Sequence, residues 1–186
     1  MAVAVGKLFV IVDMLNDFIK PSGKLYFAKG QGVVDPIVRL RAAFRAAGWP
    51  VLYVNDAHPE DSEEFASWPP HCVMGTWGAR IVDELQAGPG DIVFHKDAMS
   101  FLAHAPAENL LKAFGATHLY MAGVATEYCV QACSLDARAR GLAVTVVLDA
   151  IAGVDLHEGD ADKALETMRQ AGVAFTDTAA LLGQLG

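Results

Sequence analysis

A chain of 186 residues, 53% of them hydrophobic, is long enough to fill one sizeable core, so a single domain spanning 1–186 is expected. Its net charge of −8, from 22 acidic and 14 basic residues with no lysine or arginine cluster, argues against nucleic acid or a membrane as partner. Cys72, Cys129 and Cys133 are an odd number at spacings that fit no disulfide framework, which points to a reducing compartment, the cytoplasm.

The N-terminal MAVAVGKLFVIVD contains an apolar run, LFVIV, that is too short for a signal peptide and ends in an acid; it predicts a buried first strand. Val33, Ile37, Leu40, Phe44 and Ala47 then recur at steps of four and three and stop at Gly48, which predicts a helix. PVLYVND is the second strand. The irregular stretch 56–79, with three prolines and two tryptophans, carries too many large apolar groups for a passive connection and predicts a pocket wall. DIVFHK, HLYMAG, AVTVVLDA and a weak VAFTD supply further strands, separated by helical segments at 105–114, 126–140 and 158–171. Leu110, Leu111 and Phe114 face inward in the first of these helices, Leu165 and Met168 in the last. Near-continuous apolar strands alternating with amphipathic helices give an α/β fold: a three-layer α/β/α arrangement around a six-stranded, mostly parallel sheet.

Such sheets bind ligands beyond the carboxyl ends of their strands, and the reactive residues fall there. Asp13 ends the first strand, Asp56 the second and Lys96 the third, and Cys129 follows the fourth after one turn. A thiol at a helix N-terminus is expected to have a stabilised thiolate and to act as a nucleophile. Cys133, one turn later, reads as a small buried hydrophobe, and the pair lacks C-x-x-C spacing. Asp13 can take the thiol proton and return it to a leaving amine, while Lys96 pairs with Asp13; together the three describe nucleophilic acyl transfer. A second group is Asp56 and His58, a D-x-H leaving a strand, with His71 on a proline-braced loop and Glu64 as a fourth donor. One carboxylate and two imidazoles suit a divalent transition metal. His95, His104, His118 and His157 are read as ordinary histidines.

These residues resemble the isochorismatase-like cysteine hydrolases, and within them the nicotinamidases of pyrazinamidase type. The resemblance covers nearly the whole chain in order: VDMLNDF at 12–18, D-x-H at 56–58, WPPHCVMGTWGA at 68–79, HKDAMSF at 95–101 and GVATEYCV at 123–130. It implies Cys129 as nucleophile, Asp13 as acid/base and Lys96 as third member of a triad. It also implies Asp56, His58 and His71 as metal ligands. Many relatives have a histidine as fourth ligand; none lies between His58 and His71 here, and Glu64 resembles a glutamate variant of the site, with Glu63 as its rival. The family further implies a non-proline cis peptide before Ala125, an oxyanion hole from the Ala125 and Cys129 amides, and a pocket formed by Phe18, Trp68, Val124, Ala125 and Tyr128.

The implied activity is hydrolysis of nicotinamide to nicotinate and ammonia through a thioester, within NAD salvage. Pyrazinamide and related pyridine carboxamides are the implied further substrates. One divalent metal is expected, zinc first, with iron and manganese accepted by the same donors, and no organic cofactor; homo-oligomers are common in the family. The competing readings are another amidase of the superfamily acting on a different small amide, a non-haem metal oxygenase, and a non-catalytic metal-binding protein.

Overall fold

The computed structural model describes residues 6–185; residues 1–5 of the apolar N-terminal stretch and residue 186 lie outside it. Six strands, β1 (Lys7–Val12), β2 (Val51–Asp56), β3 (Ile92–Lys96), β4 (His118–Val124), β5 (Ala143–Ala152) and β6 (Ala174–Thr176), form one sheet in the order β3-β2-β1-β4-β5-β6. Every pairing is parallel. The chain winds outward from β1 to β3, returns to the centre as β4, and winds the other way, which puts the topological switch between β1 and β4.

The helices are α1 (Asn16–Ile19), α2 (Val34–Ala46), α3 (Ala105–Ala113), α4 (Gln131–Ala139), α5 (Asp160–Gln170) and α6 (Thr178–Leu185). The pleat sends alternate residues of β1 to opposite faces. Leu8, Val10 and Val12 pack with Leu111 of α3, Cys133 of α4 and Met168 of α5. Phe9 and Ile11 pack with Ile37, Leu40 and Phe44 of α2 and Leu181 of α6. Both faces are thus covered, which explains why the central strands read as unbroken apolar runs.

Three differences from the sequence expectations have local causes. The expected helix 126–140 is two pieces: a wide turn, Thr126–Val130, in which Tyr128 leaves helical geometry (φ −116°, ψ −106°), followed by α4. The strand expected as AVTVVLDA runs two residues further, to Ala152, because Ile151 and Ala152 pair with Gly123 and Val124 after a register shift. The short helices α1 and α6 follow strand ends and were not anticipated. Gly123 is a position only glycine can fill: its φ is +116°, and a Cβ there would lie 2.0 Å from the Val12 carbonyl oxygen. Among the described residues no helix is long and apolar enough to cross a membrane.

Candidate active site

Register brings the reactive side chains level. Val12 pairs with Val54 on one side and Gly123 on the other, and Asp56 pairs with Lys96, so the residues just past these positions share one rim. Asp13 takes up a left-handed backbone (φ 50°), a conformation aspartate tolerates better than most residues, and its Oδ1 accepts a hydrogen bond from the Asp56 amide at 2.7 Å. The Lys96 ammonium is buried at the centre of this rim. Its Nζ lies 2.9 Å from Asp13 Oδ2, forms an ion pair with Asp56 Oδ1, and lies 3.4 Å from Cys129 Sγ.

Electrostatics follow from burying one cation among two carboxylates and a thiol. Burial, reinforced by the Asp56 charge, pushes Asp13 up to about 6 against the pull of Lys96. For Lys96, burial disfavours the charge, but Asp13, Cys129 and Asp56 outweigh it and hold the ammonium well above its ordinary value. Asp56 is likewise penalised by burial, yet Lys96 and His58 keep it below the usual carboxylate range. The thiol departs from the expectation of a stabilised thiolate: burial pushes Cys129 well above its usual value, and Lys96 only partly offsets this. Asp13 and Asp56, both close to the buried turn that precedes α4, act in the same direction as burial. Cys133 is fully buried and raised to about 11, chiefly by burial, and Cys72 is buried as well; all three thiols are free.

Beside this group, Asp56, His58 and His71 each offer a donor atom within 4.8 Å of the others. His58 Nε2 is buried without a hydrogen-bond partner, 3.7 Å from Asp56 Oδ2 and 3.9 Å from Glu64 Oε2. His71 Nδ1 donates to the Pro69 carbonyl at 2.9 Å, which leaves Nε2 as the free donor atom, 3.9 Å from Glu64 Oε1. An orphaned buried imidazole nitrogen surrounded by carboxylate and imidazole donors fits a divalent transition metal. Glu64 borders the cavity with His71 and Asp56 and also an adjoining outer depression with Ser62 and Asp97; Glu63 lines that outer depression and not the cavity.

Both groups open into one cavity of about 280 Å³. Asp13, Asp56, Glu64, His71 and Cys129 border it, with Phe18, Trp68, Val124, Ala125 and Tyr128 as apolar walls. Trp68 meets Tyr128 edge-on at 5.4 Å between centroids, and Phe18 lies 5.6 Å from the His71 ring. The peptide bond between Val124 and Ala125 is cis. Every site residue named from the sequence thus borders this cavity or adjoins it; His58 and Lys96 lie just behind its wall.

Several residues that hold the site together were not singled out by sequence reasoning. Asp17 is buried, and its carboxylate accepts from the Cys72 amide at 2.7 Å and the Lys24 amide at 3.0 Å. Gly78 must lack a side chain there, since a Cβ would meet Asp17 Oδ2 at 2.1 Å. Asn16 Nδ2 donates to the Trp77 carbonyl at 2.9 Å, so the residues after β1 pin the loop that carries His71. Glu127 Oε1 accepts from the Val154 and Asp155 amides at 2.8 and 2.7 Å, fixing the loop that brings Val154 and Leu156 to the cavity. Asp97 contacts His58 Nδ1 at 2.5 Å. The available signal was position: Asp17, Asp97 and Glu127 each adjoin a residue already assigned a role, Phe18, Lys96 and Tyr128.

The model of the isochorismatase domain matches residues 7–180. The chain belongs to the isochorismatase family. It is 33% identical over 184 residues to the nicotinamidase/pyrazinamidase of Mycobacterium tuberculosis, covering 90% of this chain and 96% of that one. The crystal structure of the pyrazinamidase of Pyrococcus horikoshii in complex with zinc superposes with a TM-score of 0.86 at 30% identity, over 92% of this chain and 99% of the other. The ureidoacrylate amidohydrolase of Methylobacterium radiotolerans is 30% identical over 76% of this chain and 65% of its own length.

Proposed function

We propose that this isochorismatase-family chain is a nicotinamidase: a hydrolase that releases ammonia from nicotinamide through a thioester on Cys129. The observation that carries the reading is the convergence, on one cavity, of the Cys129–Lys96–Asp13 cluster with the orphaned nitrogen of His58 and the Asp56 and His71 donors beside it. The nicotinamidase and zinc-bound pyrazinamidase relatives support it.

A planar ring enters between Phe18 and Trp68, with its carboxamide toward Cys129. Asp13, lifted to about 6, is basic enough to accept the thiol proton and acidic enough to return it near neutrality. As the proton moves from Sγ to Asp13, sulfur attacks the amide carbon, and the resulting oxyanion is received by the amides of Ala125 and Cys129. Lys96 stays charged throughout and balances Asp13 as its carboxylate gains and loses the proton. Collapse breaks the C–N bond, Asp13 protonates the leaving nitrogen, and ammonia departs. Asp13 then deprotonates a water that attacks the thioester; nicotinate leaves and the thiol is restored. Asp56, His58, Glu64 and His71 would hold the metal, which when bound supplies a Lewis-acidic centre that orients the pyridine nitrogen.

A second reading, an amidase for an acyclic amide bearing a carboxylate, draws on Lys24, which lines the cavity and has no ion-pair partner among the described residues. The test is ammonia release from nicotinamide, benzamide and ureidoacrylate, with metal analysis on the same sample. Benzamide keeps the scissile amide but lacks the ring nitrogen. It should fall about a hundredfold behind nicotinamide in kcat/KM, about 2.7 kcal/mol. Chelation should remove that advantage. Faster turnover of ureidoacrylate than of nicotinamide would favour the second reading, and equal loss of both ring substrates on chelation would contradict metal-guided orientation.

A further inference from the structure

The two nitrogens of His58 meet different surroundings. Nε2 is buried, without a hydrogen-bond partner, and faces Asp56 and Glu64; Nδ1 lies 2.5 Å from Asp97 Oδ1. A carboxylate only accepts hydrogen bonds, so the neutral ring carries its hydrogen on Nδ1 and keeps the Nε2 lone pair for a cation.

Asp97 does more than face one ring. Its Oδ1 also accepts from Ser62 Oγ at 2.9 Å, and that hydroxyl in turn accepts from the Glu64 amide at 3.3 Å, at the start of the turn Glu63–Ala66. One carboxylate oxygen therefore holds the His58 ring directly and, through Ser62, the turn that presents Glu64. The backbone of Asp97 is anchored as well. It follows Lys96, which is registered against Asp56 in the sheet, and its amide donates to His104 Nε2 at 3.2 Å. Loop-borne donors are thereby referenced to the rigid end of β3.

We propose that Asp97 is a positioning residue of the metal site: it fixes the tautomer and ring orientation of His58 and the placement of Glu64. The proposal rests on reading Asp56, His58, Glu64 and His71 as metal donors. The Asp97 side chain is 39% exposed, so removing it opens no cavity in the core.

The test measures zinc affinity by competition with a chromophoric chelator, on metal-free protein, for the wild type, Asp97→Ala, Asp97→Asn, Ser62→Ala and His58→Ala. Thermal unfolding of each metal-free form and the absorption spectrum of each cobalt-loaded form accompany it. Losing an outer carboxylate on a ligand histidine costs about 10–100-fold in metal affinity, and that is the loss expected for Asp97→Ala. Asp97→Asn, whose amide oxygen still accepts, should lose less, and Ser62→Ala only a few-fold. The metal-free melting temperatures should stay alike and the cobalt spectra should keep their shape. Unchanged zinc affinity in Asp97→Ala overturns the proposal and leaves the metal site standing. A cobalt spectrum that shows loss of a ligand in Asp97→Ala overturns it too, by making Asp97 a ligand. A wild type that binds no zinc, or binds it equally well after His58→Ala, overturns the metal-site reading itself.

Discussion

The cavity is made of two regions built on different principles. The Asp13–Lys96–Cys129 cluster sits at the carboxyl ends of β1 and β3 and in the turn after β4, and its geometry is set by sheet register and by opposite charges buried together. The His58–Glu64–His71 region lies on irregular chain that no sheet holds. Side chains from elsewhere hold it instead: Asn16 and Asp17 after β1, Asp97 after β3, and the short His58–Val73 bridge. The first region should therefore respond to mutation through charge and chemistry. The second should respond through loop order and metal affinity, with less effect on the fold.

The largest effect is expected at Asp13. Asp13→Asn keeps the shape but cannot take the thiol proton, so kcat should fall by about 10²–10⁴-fold while affinity for a non-hydrolysed pyridine ligand stays within a few-fold. Weakened binding with near-normal kcat would remove Asp13 from the chemistry. Next comes Lys96→Met, which leaves the Asp13 and Asp56 carboxylates buried without their cation. Breaking a buried pair in this way costs about 3–5 kcal/mol, readable by urea unfolding of the metal-free protein. A loss below about 1 kcal/mol would mean that the charges are better solvated than their burial implies.

Asp17→Ala probes the other region. It removes the acceptor for the Cys72 and Lys24 amides, and hydrogen bonds to a charged acceptor contribute about 1.5–3 kcal/mol each. We expect a destabilisation of about 2–4 kcal/mol and weaker zinc binding, since Cys72 adjoins His71. Destabilisation with unchanged zinc affinity would show that the loop keeps its donors in place without Asp17. The smallest effect is one of pH. In the metal-free protein burial lowers the affinity of His58 for a proton, but the nearby Asp56 carboxylate, the Asp97 carboxylate against Nδ1 and the Glu64 charge outweigh it and raise the ring to about 9. Metal at Nε2 must displace that proton. Zinc affinity should therefore climb about tenfold per pH unit, or about 1.4 kcal/mol, up to about pH 9 and level off above it. A flat profile between pH 6 and 8 would contradict a protonated His58 in the metal-free state.

The same contrast explains what the sequence made legible. The strand ends were visible because LFVIV, VLYV and their counterparts are apolar runs bounded by Asp13, Asp56 and Lys96, and a parallel sheet gathers such ends on one rim. Cys129 was visible as a reactive residue, but the upward push on its thiol was not: that depends on how deeply the turn is buried and on two carboxylates from distant strands. Asp17 and Asn16 carried no role in the sequence beyond their place in VDMLNDF, since their partners, Cys72 and Trp77, are far along the chain and unrelated by any period. Asp97 was hidden in the same way, one residue past a lysine already assigned a role. Local pattern specifies elements and their ends; which polar group ties one loop to another is a tertiary fact.

The most direct test of the central claim is the covalent intermediate. Metal-loaded protein mixed with nicotinamide and quenched in acid within the first turnovers should be analysed by intact mass and peptide mapping. The account predicts a nicotinoyl adduct on the peptide containing Cys129, absent in Cys129→Ala and present in Cys133→Ala, with ammonia and nicotinate formed in equal amounts. Normal turnover of nicotinamide by Cys129→Ala, or an adduct carried by another residue, would contradict it.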